Sequence, residues 1–253
     1  MLEFIIAFFR EMAENYPKWN FIFFYEPKLW AKVLSGIWVT IKLSIICTIL
    51  SVLVGIFGAW AQTSKSRILR MVTQGYIQFF RNTPPLIQLL FFFFALSQFT
   101  PSVVGEDGWT ENPIITAVGW AIISLSLFAG AYNVEIFRAG IEAVPESTKE
   151  AAEALGFNSI QTYLYIVFPL ALRVSLPALN NNLVNLVKTT TQAIVIAVPE
   201  LLYVMVSIYN DYASAQNASM VFLFIFYLLL VGVLVFSMNM WERKLYIPGI
   251  GNR

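Results

Sequence analysis

The sequence contains no histidine, only one cysteine and few charges, and each shortage closes off a class of chemistry. With imidazole absent and Cys47 alone inside an apolar run, neither a His/Cys metal set nor an intrachain disulfide is available. Acid–base catalysis loses its commonest group, and the carboxylates fall mostly at the ends of apolar segments rather than in a convergent set. Only 12% of the 253 residues are charged, against 58% hydrophobic and 16% aromatic, which is too little polar surface to cover a soluble globule. The net charge of +1 is not gathered into a basic stripe, so no nucleic-acid partner is expected. No G-x-x-x-x-G-K-[ST] phosphate loop occurs, so the chain carries no P-loop motor of its own. Met1 to Arg10 lacks a basic n-region and a small-residue cleavage site, and is read as part of the mature chain.

What the sequence does have is apolar length. Met1 to Phe9 is too short to cross ~30 Å of hydrocarbon at ~1.5 Å per residue, and residues 1–30 are expected to form an interfacial segment. The rings of Trp19 to Tyr25 suit either the headgroup region or packing against neighbouring spans. Residues 31–253 form one membrane domain with spans at Val33 to Ala61, Pro84 to Phe99, Pro113 to Phe137, Ser175 to Val198 and Met220 to Met240. Pro84-Pro85 marks a helix entry or kink, with part of Met71 to Arg81 running into or along the membrane surface. Lys65, Arg67 and Arg70 occupy a break without acidic residues, whereas Glu106, Asp107 and Glu111 occupy one without basic residues. The positive-inside rule then puts the first break in the cytoplasm, the N-terminus outside, and the tail around Trp241-Glu242-Arg243-Lys244 in the cytoplasm. After Pro199-Glu200, the spacing of Leu201, Val204, Met205 and Ile208 predicts an amphipathic helix on the outer face.

One stretch between spans is polar: Val144 to Pro169. Ser147 and Glu150 have capping-box spacing, predicting a helix that begins at Ser147. Ala151, Ala152, Ala154 and Leu155 continue it, and Gly156 supplies the left-handed residue that closes it. A second apolar-faced helix is expected to end near Pro169. Such a helix-turn-helix is long for a connection between spans and is built to touch something.

The fourth span carries a second polar feature. Asn181, Asn185, Lys188 and Gln192 are spaced by four, three and four residues, which places them on one helix face. Lys188 lies about 20 Å from Ser175, near mid-depth, where an unpaired ammonium costs several kcal/mol. It therefore faces a hydrated pathway, with Thr189, Thr190 and Thr191 beside it, or it pairs with Glu135, which sits roughly two turns too low. Gln88 and Lys42 are secondary candidates for the same pathway. Helix–helix hydrogen bonding is an equal reading for Gln88, Asn82 and Thr83, and snorkelling is the stronger one for Lys42. Arg81 reads as a boundary anchor, and Phe91 to Phe94 as packing and lipid-facing surface.

Glu150-Ala151-Ala152, Gly156, Ile166 and Pro169 resemble the EAA loop of membrane subunits of ATP-binding-cassette importers. Phe80 to Leu86 (FRNTPPL) and Tyr132 to Arg138 (YNVEIFR) resemble the polar-amino-acid branch of that family, and the likeness runs from about Ser35 to Gly249. Phe168 replaces the usual leucine, Ser147-Thr148 the usual Gly-Gln, and Thr189 the acidic residue of a Lys-Asp-Thr-Ser segment. The resemblance implies an all-α integral membrane fold: about five transmembrane helices, an N-terminal interfacial helix and a cytoplasmic coupling helix within loop 139–172. It implies that Ser147, Glu150, Ala151, Ala152, Leu155, Gly156 and Phe157 engage a pair of cytosolic ATP-binding subunits. ATP and Mg would sit on that pair, and this chain would hold no cofactor. It further implies a second permease subunit, identical or not, an external substrate-binding protein, and a bacterial inner membrane. Loss of the carboxylate at Thr189 leans toward acidic or neutral amino acids. An ion-coupled transporter is disfavoured because the deep charges are mainly lysines, and a membrane enzyme because no catalytic set converges.

Overall fold

The computed structural model describes residues 2–104, 109 and 111–245, without the side chains of residues 2–5 and Glu111. Glu106, Asp107, the Glu111 side chain and the tail from residue 246 therefore lie outside the described residues.

Helices dominate. α1 (Leu2–Asn15) runs longer than the apolar stretch at its start. After short helical turns at Pro17–Trp19 and Ile22–Tyr25, α2 (Pro27–Thr63) opens on a proline, whose fixed φ suits the first helical position. Ser66 caps α3 (Arg67–Asn82) by accepting from the Leu69 N–H at 3.4 Å. α4 (Pro85–Phe99) follows at 109° to α3. The bend has a local cause: Thr83, before a proline, is extended at φ −117° and ψ 141°, and Pro84 and Pro85 carry no N–H to continue a helix. Gln88, 2% exposed, bridges the bend by donating to the carbonyls of Phe80 (2.8 Å) and Thr83 (2.9 Å).

α5 (Ala117–Glu142), α6 (Glu146–Ala154), α7 (Ser159–Ile196), α8 (Leu201–Asp211) and α9 (Ala213–Leu245) complete the helices. Among the described residues, four are long and apolar enough to span a membrane: α2, α5, α7 and α9. The bent pair α3 and α4 makes five if it counts as one.

Three local expectations are corrected. The outer break forms a hairpin, β1 (Ser102–Val104) antiparallel to β2 (Glu111–Pro113), that takes in Pro113, the residue expected to open the third span, so α5 starts only at Ala117. Strands of three residues are too short for an alternating pattern to reveal them. The capping box at Ser147 does not form, because Pro145 occupies the cap and Ser147 is already the second residue of α6. The box sits one helix later, where the Asn158 side chain accepts from the Gln161 N–H and the Gln161 side chain from the Asn158 N–H, both at 2.9 Å. Nor does the second arm of the island stop near Pro169; it continues into the fourth span as α7, through Pro169 and Pro177. The helix widens to a π-helical turn over Thr162–Val167, just where the ring of Pro169 meets the preceding turn. α7 tightens to 3₁₀ from Thr190 to Ile196 and closes at Ala197, whose φ is +56°.

The chain divides into two compact units, 1–46 with 89–123 and 187–232, and 47–88 with 124–186 and 233–253. In the first, the face of α8 expected from spacing is the one buried: Leu201, Val204, Met205 and Ile208 pack with Phe23, Leu29, Val33 and Leu223. That face meets protein. Phe23 is also 5.2 Å from Phe222 and Phe9 stacks on Phe24 at 4.7 Å, so packing claims these rings of the N-terminal aromatic stretch. Glu200, 1% exposed, caps α8 through Leu202 N (2.8 Å) and Tyr203 N (2.9 Å) and accepts from the Tyr227 hydroxyl (3.0 Å). Burial raises its carboxyl above the ordinary value, and these donors oppose the rise.

In the second unit, α2 and α5 meet along a seam of small residues. A Cβ on Gly58 would lie 2.3 Å from Val134 Cγ2, and one on Gly130 2.6 Å from Val54 Cγ1, so only glycine permits this approach. α5 and α7 are joined by polar contacts: Asn182 donates to Asn133 Oδ1 (2.8 Å) and Ala129 O (3.0 Å), while Asn133 donates to Ser51 Oγ (3.2 Å). Tyr76 ties α3 to α5 by donating to Leu127 O at 2.6 Å.

Candidate functional site

The α6 turn has the geometry its sequence requires. Gly156 takes φ +87°, its N–H bonds Glu153 O at 2.9 Å, and the Phe157 N–H bonds Ala152 O at 3.1 Å. This pair of bonds is a Schellman motif, in which a left-handed residue lets the last carbonyls find donors. The turn is held from below by Val144, Val167 and Ala171, with Tyr163 and Leu170 against them. Ala152 is buried, Phe157 is half-buried, and Ser147, Glu150, Ala151, Leu155 and Gly156 are exposed. Leu155 is 78% exposed, and Ile160 (71%), Leu164 and Tyr165 add three apolar side chains that the sequence reading did not single out. Apolar residues placed among polar ones just after a helix-closing glycine were the available signal. Exposed apolar groups on a polar loop are the usual mark of a docking surface.

Two motifs noted separately in the sequence meet in the second unit. Arg81, from FRNTPPL, lies 3.6 Å from Glu135 and 5.3 Å over the ring of Tyr132, both from YNVEIFR. Arg138 also pairs with Glu135 at 3.0 Å and with Glu142 at 2.7 Å. Glu135 thus already has two guanidinium partners, and Arg81 is more than a boundary anchor.

On α7, Asn181, Asn185 and Lys188 are exposed and Gln192 is half-buried. Lys188 makes no salt bridge among the described residues. Thr189 and Thr190 are buried; the hydroxyls of Thr190 and Thr191 donate to the carbonyls of Val187 (2.7 Å) and Lys188 (2.8 Å), bonds that stabilise the change to 3₁₀. Gln192 Oε1 is buried and has no hydrogen-bond partner among the described residues. Gln88 spends its amide donor on the α3–α4 bend, and Lys42 is exposed on α2. No group of three or more His, Cys, Asp or Glu suited to a metal ion occurs among the described residues.

Residues 51–245 match the family described as the binding-protein-dependent transport system inner membrane component. The chain belongs to this family. It is a multi-pass inner-membrane permease, and, as a transport subunit, it is not itself an enzyme. The family implies an ATPase, a substrate-binding protein and a permease partner. The glutamate/aspartate import permease protein GltJ of Escherichia coli K12 is 31% identical over 85% of this permease and 87% of its own length. The histidine/lysine/arginine/ornithine transport system permease protein HisQ of Salmonella typhimurium is 35% identical over 62% of this chain and 69% of its own. A crystal structure of an amino acid ABC transporter with histidines superposes with a TM-score of 0.73 at 28% identity, covering 88% of this permease and 98% of that chain.

Proposed function

We propose that this permease carries a polar amino acid inward across the bacterial inner membrane, driven by a cytosolic ATP-binding subunit pair that docks on α6. The observation that carries the reading is the family match over residues 51–245, which includes the whole α6 turn and the exposed stripe of α7. Orientation follows from charge: the loop with Lys65, Arg67 and Arg70 and the α6 loop face the cytoplasm, the N-terminus lies outside and the C-terminus inside. ATP and Mg belong to the ATPase. Ser147, Glu150, Ala151, Ala152, Leu155, Gly156 and Phe157 supply or shape the docking turn, and the rigid closure at Gly156 makes it a fixed knob for a groove on the partner.

In the membrane, Lys188 with Asn181, Asn185, Gln192 and Thr189 to Thr191 lines the substrate path. An amino acid always presents a carboxylate, and an exposed ammonium with no ion-pair partner among the described residues is suited to receive one. The buried, unsatisfied Gln192 oxygen adds an acceptor beside it. Gln88 serves the same path indirectly, by holding the bend. The second wall of the path comes from a second permease subunit, and an external binding protein delivers the solute. The relatives named above handle amino acids of either charge, and the missing carboxylate at Thr189 favours acidic or neutral ones here.

The test is co-purification with cytosolic ATPase subunits, then ATP hydrolysis in liposomes across an amino-acid panel with the binding protein. Turnover raised by one amino acid supports the importer and names its substrate; solute movement on an ion gradient without a recruited ATPase overturns it. Lys188→Ala is expected to weaken transport about tenfold or more while leaving ATPase recruitment intact.

A further inference from the structure

An apolar groove of about 550 Å³ opens between α2, α3 and α5 within the second unit, lined among others by Leu53, Phe57, Trp60, Leu69, Val72 and Tyr76. Its two hydroxyls are turned away from any occupant: Thr73 donates to Leu69 O at 2.9 Å and Tyr76 to Leu127 O at 2.6 Å. What the groove offers is hydrocarbon. Its length along α2, from Leu50 to Ala61, is about 16 Å, close to the depth of one leaflet of a ~30 Å core. At the Trp60 end stand Lys65, Arg67 and Arg70, all exposed and free of salt bridges among the described residues, and no acidic residue occurs anywhere from Cys47 to Gln88.

We propose that this groove binds an anionic phospholipid, one acyl chain lying along Leu53, Phe57 and Val72 and the phosphate held by Lys65, Arg67 and Arg70. Topology alone accounts for basic residues at a membrane boundary; it does not account for an acyl-sized groove ending at them. Charge picks the occupant, since a zwitterionic lipid or a second copy of this face would leave three cations unmatched. α3 fits the role, because Ile68, Met71 and Val72 are exposed on the same helix as Arg67 and Arg70 and place it at an interface.

The experiment uses the full-length permease in vesicles of phosphatidylcholine with either brominated phosphatidylglycerol or brominated phosphatidylcholine. Quenching is assigned to Trp60 by difference from Trp60→Phe. The brominated anionic lipid is expected to quench at about tenfold lower mole fraction than the zwitterionic one, the preference falling to near unity in the Lys65→Gln/Arg67→Gln/Arg70→Gln variant. Equal quenching by the two lipids, or a preference that survives the triple variant, overturns the proposal. As these side chains are exposed, the variant is expected to keep the wild-type elution profile. A disulfide-linked dimer formed readily through Leu53→Cys in a Cys47→Ala background would also overturn it, by showing that a second copy covers the groove.

Discussion

Asn181 and Asn182 are adjacent on α7 and carry the same side chain, yet they belong to opposite kinds of surface. Asn182 turns inward, with its amide donors spent on Asn133 and on the carbonyl of Ala129, inside a seam where helices touch at glycines. Asn181 turns outward on the exposed face shared with Lys188. A polar residue in a membrane helix therefore has two unlike uses: joining helices of its own chain, or meeting something that chain does not contain. Burial separates them; residue type does not.

The contrast can be broken or sharpened by substitution, starting at the seam. Gly58→Leu, whose Cβ would lie 2.3 Å from Val134 Cγ2, is expected to cost about 3 kcal/mol and abolish a monodisperse peak on size exclusion in detergent. Asn182→Leu leaves Asn133 Oδ1 and Ala129 O without their donor and is expected to cost about 2 kcal/mol, read as a lower midpoint in thermal unfolding. Gly156→Val forces a β-branched residue toward φ +87° at a local cost of about 1–2 kcal/mol. There the expected readout is lost stimulation of ATP hydrolysis with the membrane helices still folded, as far-ultraviolet circular dichroism would show. Asn181→Ala should change stability by no more than about 0.5 kcal/mol, leaving the unfolding midpoint nearly unmoved, while changing transport affinity. An Asn181 variant that unfolds as readily as the Asn182 one would erase the distinction.

Much of this was legible from spacing. The amphipathic face of α8 was readable because four residues at helical intervals all needed burial, and the left-handed Gly156 because a polar helix ended at it. The Asn133–Asn182 bond was not, since it joins residues far apart in sequence and the stripe through Asn181 drew attention to the exposed face. The misplaced capping box has a narrower cause: Pro145 and Ser147 compete to start α6, and the proline, its φ fixed by the ring at −57° with ψ at 140°, takes the cap. Pro169 misled in the reverse sense. A proline stops a helix only where the preceding turn cannot widen, and the π-helical turn before it is the widening. Of the proposed pathway, the exposed stripe was visible in the pattern, but Gln88 was not separable from it, because its amide donates to the carbonyls of Phe80 and Thr83 as well as to the Thr83 hydroxyl, and no side-chain pattern records the carbonyls.

α4 is short for a membrane helix. From Pro85 to Phe99 the helix rises only about 22 Å, against about 30 Å of hydrocarbon. Crossing alone, α4 would force the lipid beside it to thin by about 8 Å; counted with α3 as one bent span, the pair has length enough, and the elbow at Pro84-Pro85 sets where the chain leaves the membrane surface for its interior.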